Sequence, residues 1–166
     1  MACGDWERLG QVNGTGACCD NLLVSCLSVK KNLEIAYFKV VEANTESFLR
    51  FNNDSGSEYS WRHSLCGAGD VTDNTNTTYI DAGKEIGSPE FSVIQVANIP
   101  GQEKLVIGHT VARDNAGECT APRRKEFVGK YDPASLCTNI TQVNIINTDT
   151  GGYQSSSELV VWGAED

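Results

Sequence analysis

Phe48-Leu49-Arg50-Phe51-Asn52-Asn53-Asp54-Ser55-Gly56-Ser57-Glu58-Tyr59-Ser60-Trp61-Arg62-His63 holds two extended segments separated by turn formers. Phe48, Leu49 and Phe51, and then Tyr59 and Trp61, are residue types that pack well on a pleated surface. Between them, Asn and Asp hydrogen-bond their own backbone and tolerate positive φ, and Gly56 adopts it without steric cost. The spacing predicts a β-hairpin with a polar tip and a positive φ at Gly56. Tyr59 and Trp61 are two apart and therefore share a face. This stretch specifies β structure and carries no catalytic constellation.

Outward from it, the same signals repeat. Toward the N-terminus, Trp6 to Gly10 reads as a short strand and Leu22 to Val29 as an apolar one. Residues 33–41 alternate with both faces mostly apolar, as an interior strand does. Toward the C-terminus, Gly67 to Thr78 reads as a surface loop and Thr77 to Asp81 as a short strand. Phe91 to Ile99 is a strong strand stopped by Pro100-Gly101, and Lys104 to Ala112 follows it. Arg124 to Lys130, Asn139 to Asn147 and Glu158 to Gly163 complete the set. No long window shows a helical period, and no tandem repeat is visible. Short strands with a turn signal about every ten residues predict an all-β, antiparallel β-sandwich. A jelly roll of eight to ten short strands fits best, as one domain over residues 1–166 with a short N-terminal arm, 1–20.

The 166 residues carry a formal charge of -9, which works against binding a nucleic-acid backbone. Arg123-Arg124-Lys125 is too short a basic cluster to change that. No apolar run reaches the roughly 20 residues that span a bilayer. Met1 to Trp6 lacks the basic region and apolar core of a signal peptide. The chain is therefore expected to be used without secretion, or to have been separated from its leader.

Seven cysteines point the other way. There is no CxxC pair, and His63 and His109 stand alone, so a structural zinc site is not expected. Cys3, Cys18, Cys19, Cys66, Cys119 and Cys137 are candidates for disulfides in an oxidising setting. Cys26, inside an apolar run, reads as a small buried hydrophobe. Asn-x-Ser/Thr occurs at Asn13, Asn53, Asn76 and Asn139, as chance allows in a chain rich in Asn and Thr.

Neither histidine has a partnered nucleophile, and Gly108-His109-Thr110 lies in a strand rather than on a nucleophile elbow. The carboxylates show no pairing of the kind glycoside hydrolysis needs. The stretches Asn52 to Glu58 and Asp70 to Asn74 could offer oxygens to calcium, although neither matches a calcium loop; Asn53, Asp54, Asp70 and Asp73 within them are candidate contact residues. Trp61, Tyr59 and Trp162 could form a sugar-stacking platform, against the commoner fate of strand aromatics as core. No enzyme and no cofactor are expected.

Trp6-Glu7-Arg8-Leu9-Gly10, Lys30-Lys31-Asn32-Leu33, the 50–62 segment, Glu103 to His109, Val128-Gly129-Lys130, Ile145 to Thr148 and Ser157 to Gly163 follow one another along nearly the whole chain. This order resembles small β-sandwich structural proteins and appendage domains of tailed phages and archaeal viruses. The resemblance implies a non-enzymatic virion structural protein, in capsid decoration or a head or tail appendage. It implies a homo-oligomer on the particle surface whose partners are its own copies or a capsid protein. From the charge and the lack of a long apolar run, no nucleic-acid or membrane partner is expected. The seven cysteines depart from that pattern. The alternative expectation is a secreted, extracellular carbohydrate-binding module.

Overall fold

The computed structural model describes residues 5–16, 19–40, 46–83, 89–113, 121–148 and 151–165. Among them are twelve strands and no helix. In chain order they are β1 (Glu7–Asn13), β2 (Asn21–Val24), β3 (Asn32–Lys39), β4 (Phe48–Phe51), β5 (Tyr59–Leu65) and β6 (Val71–Thr77). β7 (Ile80–Asp81), β8 (Glu90–Ala97), β9 (Lys104–Ala112), β10 (Arg123–Tyr131), β11 (Val143–Ile146) and β12 (Glu158–Ala164) follow.

An eight-stranded sheet has the order β1-β12-β3-β8-β9-β10-β5-β6, and a four-stranded sheet the order β2-β11-β4-β7. Every pairing is antiparallel. The two blocks β1-β12-β3-β8 and β2-β11-β4-β7 interleave in sequence as the two sheets of a jelly roll do. The pairs β5–β6 and β9–β10 are insertions that extend the first block beyond β8. The fold is thus an antiparallel sandwich, as the strand pattern predicts, with more strands than the eight to ten expected.

Alternation builds the core. Leu33, Ile35 and Tyr37 of β3, Ile94 and Val96 of β8 and Val106 of β9 point inward from the large sheet. Leu22, Leu49, Phe51, Ile80, Val143 and Ile145 meet them from the small one. Gly108 is required where β9 passes under the Phe127 ring, because a Cβ there would lie 2.1 Å from the ring's Cζ.

Several local expectations are corrected. Phe48–Phe51 and Tyr59–Leu65 do not form a hairpin: β4 pairs with β11 and β7, and β5 with β10 and β6, in different sheets. The intervening residues arch from one sheet to the other. The arch is pinned by Tyr59, whose hydroxyl accepts from Phe51 N at 3.0 Å. Positive φ falls on Asn52 (53°) and Asn53 (55°) and not on Gly56. The Asn52 side chain explains this choice: Oδ1 accepts from Thr141 N at 2.9 Å and Gln142 N at 3.2 Å, and Nδ2 donates to Asn139 O at 2.9 Å. Within the expected 67–78 loop lies β6, an irregular edge strand on β5. The apolar 22–29 run stops as a strand at Val24, where Cys26 takes φ 59° and is exposed rather than buried. The N-terminal arm contains β1, hydrogen-bonded along β12.

Candidate functional site

The candidate contact residues do not converge. Asn53 is exposed at the arch, whereas the Asp54 carboxylate is occupied internally, accepting from Tyr131 Oη and Gly56 N at 2.8 Å each. Glu58 lies beside it, and burial and the Asp54 charge hold its carboxyl above the ordinary value. Tyr59 is fully buried, whereas Trp61 is partly buried against the core, so the two rings do not form one exposed platform. Asp70 is exposed beyond the β5–β6 turn, 4.0 Å from Arg62. Asp73 belongs to β6, and its side chain lies outside the described residues. Among the described residues no group of three or more His, Cys, Asp or Glu could hold a metal ion.

The disulfide expectation is corrected for three positions. Cys19, Cys66 and Cys137 are free thiols, as is Cys26. They sit in separate connections: before β2, in the turn after β5, and between β10 and β11. Cys3, Cys18 and Cys119 lie outside the described residues.

Two features carry chemistry that the sequence reading did not assemble. The first is the outer face of the eight-stranded sheet. Register places Phe38, Phe91 and Val111 side by side across β3, β8 and β9. Two residues along, Val93 and His109 are neighbours, with Glu126 beyond. The next row sets Gln95, Ile107, Val128 and Arg62 in line, and the next Ala97, Leu105 and Lys130. Leu105 is 58% exposed, Ile107 51% and Phe91 44%. Leu105 and Ile107 form a ridge between two grooves. One, of about 470 Å³, is bounded by Trp6, Asn32, Gln95 and Ala97. The other, of about 420 Å³, is bounded by Trp61, Arg62, Asn74, Val128 and Lys130. Charges of both signs rim this face, with Lys130 and Glu103 paired at 2.7 Å and Arg124 and Glu126 at 3.4 Å. Exposed apolar residues contiguous over neighbouring strands mark contact surfaces more than isolated ones do.

The second feature is a polar layer inside the sandwich. Tyr37, Ser92, Thr110 and Lys125 are register partners on the inner face of β3, β8, β9 and β10. All four are buried. The end of β7 supplies their acceptors. Thr110 Oγ1 donates to Ala82 O at 2.7 Å, and Lys125 Nζ to Gly83 O at 2.7 Å. Tyr37 Oη donates to Glu90 Oε1 at 2.7 Å, and Lys39 Nζ lies 3.1 Å from Glu90 Oε2, both side chains inaccessible to solvent. Lys125 Nζ also pairs with Asp81 Oδ1, and His63 Nδ1 stands 3.6 Å from Asp81 Oδ2. The His63 ring stacks on Trp61 at 5.2 Å and 10°. Burial pushes the Lys125 ammonium below its ordinary value against the pull of Asp81. Burial and the Glu90 charge raise Tyr37 well above the usual phenol range. The sequence holds one hint of this layer: Lys39, Lys104 and Lys125 stand at core-phase positions of otherwise alternating strands.

Neither the family models, nor the characterised proteins, nor the solved structures compared with this chain gave a match.

Proposed function

We propose that this chain is a non-enzymatic virion structural protein, decorating a capsid or forming part of an appendage. It makes its lattice contacts with copies of itself or a capsid protein through the outer face of the eight-stranded sheet. The observation that carries the proposal is the Leu105–Ile107 ridge, with Phe38, Phe91, Val111 and Val128 around it, on a sheet face that no other strand among the described residues covers. An apolar centre with a rim of both charge signs is the layout of a protein–protein contact. A rigid sandwich keeps such a face in shape, and a lattice repeats weak contacts until avidity holds them. The charge of -9 disfavours a genome-binding role.

The test is sedimentation and electron microscopy at near-physiological salt, on the parent chain and on a Leu105→Glu/Ile107→Glu variant. The parent is expected to self-associate or attach to particles. The variant should sediment as a monomer with an unfolding midpoint close to the parent's, since both side chains face outward. A parent chain that stays monomeric and attaches to no particle rejects the proposal.

A second reading, a carbohydrate-binding module, is favoured by a different observation. Trp6 is 49% exposed beside a groove that also presents the Asn32 and Gln95 amides. An open indole next to amide donors and acceptors suits a sugar ring. A glycan array with Trp6→Ala as control separates the two readings.

A further inference from the structure

The polar layer contains a pairing that goes beyond assembly. Lys125 on β10 belongs to the eight-stranded sheet and Asp81 on β7 to the four-stranded one, so their contact bridges the sandwich. The Lys125 side chain is 3% exposed and that of Asp81 18%. We propose that Lys125 and Asp81 condense into an intramolecular isopeptide bond that ties the two sheets together.

The chemistry needs a neutral amine, a carboxyl group whose carbon can be attacked, and a site from which water leaves and does not return. Burial disfavours separate charges, so passing a proton from Nζ to the Asp81 carboxyl removes both charges at once. The depressed Lys125 basicity acts in the same direction. One remaining N–H is held by Gly83 O at 2.7 Å, which leaves the lone pair to meet Cγ. His63, 3.6 Å from the second carboxyl oxygen, is placed to donate a proton there as the carbonyl carbon becomes tetrahedral and to take it back when the carbonyl re-forms. The Nζ–Cγ bond forms and the Cγ–Oδ1 bond breaks. The departing oxygen carries two of the three protons of the original ammonium out as one water, and the amide nitrogen keeps the third. No oxidant or co-reactant is consumed. The Trp61 ring, stacked on His63 and 5.9 Å from Nζ, shields the site from returning water.

The other buried pair is less suited. Lys39 and Glu90 are direct register partners within one sheet. Tyr37 Oη donates to the Glu90 carboxylate at 2.7 Å, which stabilises the anion against attack. A bond at Lys125–Asp81 instead closes a loop containing β8 and β9, restricting the unfolded chain as a disulfide does.

Intact mass spectrometry of the full chain, fully reduced and denatured, decides this. The expected mass is one water below that of the reduced sequence. Proteolysis with tandem fragmentation should then give a branched peptide joining residues 81 and 125. Lys125→Arg should restore the full mass, and His63→Ala should accumulate the unbridged chain at early times. A parent chain of full mass, with both residues in linear peptides only, overturns the proposal. So does a water loss that persists in Lys125→Arg, which would locate it elsewhere, such as an aspartyl succinimide. Normal bridging kinetics in His63→Ala would remove the proton-donor role from His63. The parent measurement decides on its own, so a variant that fails to fold leaves the test standing.

Discussion

Gly108 and the Phe127 ring occupy one volume between them. A methyl at position 108 would lie 2.1 Å from Cζ and 2.5 Å from Cε1 of a ring that is itself buried in the core. The ring has no free space to enter, so Gly108→Ala is expected to cost about 1–3 kcal/mol through overpacking. Urea denaturation measures it, and a loss below about 0.5 kcal/mol, as at surface positions, would show that the ring yields. Such a contact is invisible in sequence, where Gly108 reads only as a weak point in a strand. Turn chemistry was partly legible. The Asn-Asn-Asp-Ser-Gly run announces a tight reversal, but which residue takes positive φ depends on partners far along the chain. Asn52 takes it because its amide satisfies backbone groups at 139, 141 and 142. Likewise the spacing of Cys19, Cys66 and Cys137 suggests bridges, while the fold disperses them among separate connections.

At the scale of elements, alternation made β8, β9 and β10 readable, because each buries one face and leaves the other open, whereas β3, with apolar residues on both faces, buries only the Leu33, Ile35 and Tyr37 side. Sheet membership was not readable. The segments around Asn52–Glu58 carry the same pattern whether they fold back as a hairpin or arch between sheets, and only their pairing with β11 and β10 decides. β6 escaped notice because an edge strand with one neighbour needs few apolar residues, and Asp73, Asn74 and Asn76 read as loop. The closing strand β12 shows how burial tempers a pattern. Leu159 and Val161 face the core at 0% exposure, whereas Trp162 lies on the opposite side, partly buried, in register with Arg8 and Glu34. Leu159→Ala is therefore expected to cost about 2–5 kcal/mol, and Trp162→Ala less than the roughly 3–5 kcal/mol of a fully buried indole. Equilibrium denaturation of the two variants checks the order. A larger loss at Trp162 would mean that β12 is held chiefly by its outer side.

For the whole molecule, the core's aromatic content sets its response to base. Tyr37, Tyr59, Tyr131 and Tyr153 are among the largest fully buried side chains. Burial raises each phenol, with Glu90 adding to the effect at Tyr37 and Asp54 at Tyr131. The folded values therefore lie above the unfolded value of 10.0. Below that pH both states hold the protons and the full stability is present. Above it the unfolded chain releases protons that the folded chain retains, so stability falls as pH rises. The slope is about 1.4 kcal/mol per pH unit for each tyrosine still protonated in the fold. Four such groups make the decline steep, and ionisation of the core should coincide with global unfolding. Tyr79 differs: it is only partly buried, packs against Phe48 in a tilted ring contact with centroids 3.9 Å apart, and is raised chiefly by desolvation. It should ionise separately from the other four. An alkaline titration following tyrosinate absorbance and far-ultraviolet circular dichroism together is expected to show a small early absorbance step with the fold intact. A large, cooperative step coincident with loss of β structure should follow. Five tyrosines ionising together near pH 10 with the dichroism unchanged would mean that solvent reaches the core phenols, and the packing described for this sandwich would have to be abandoned.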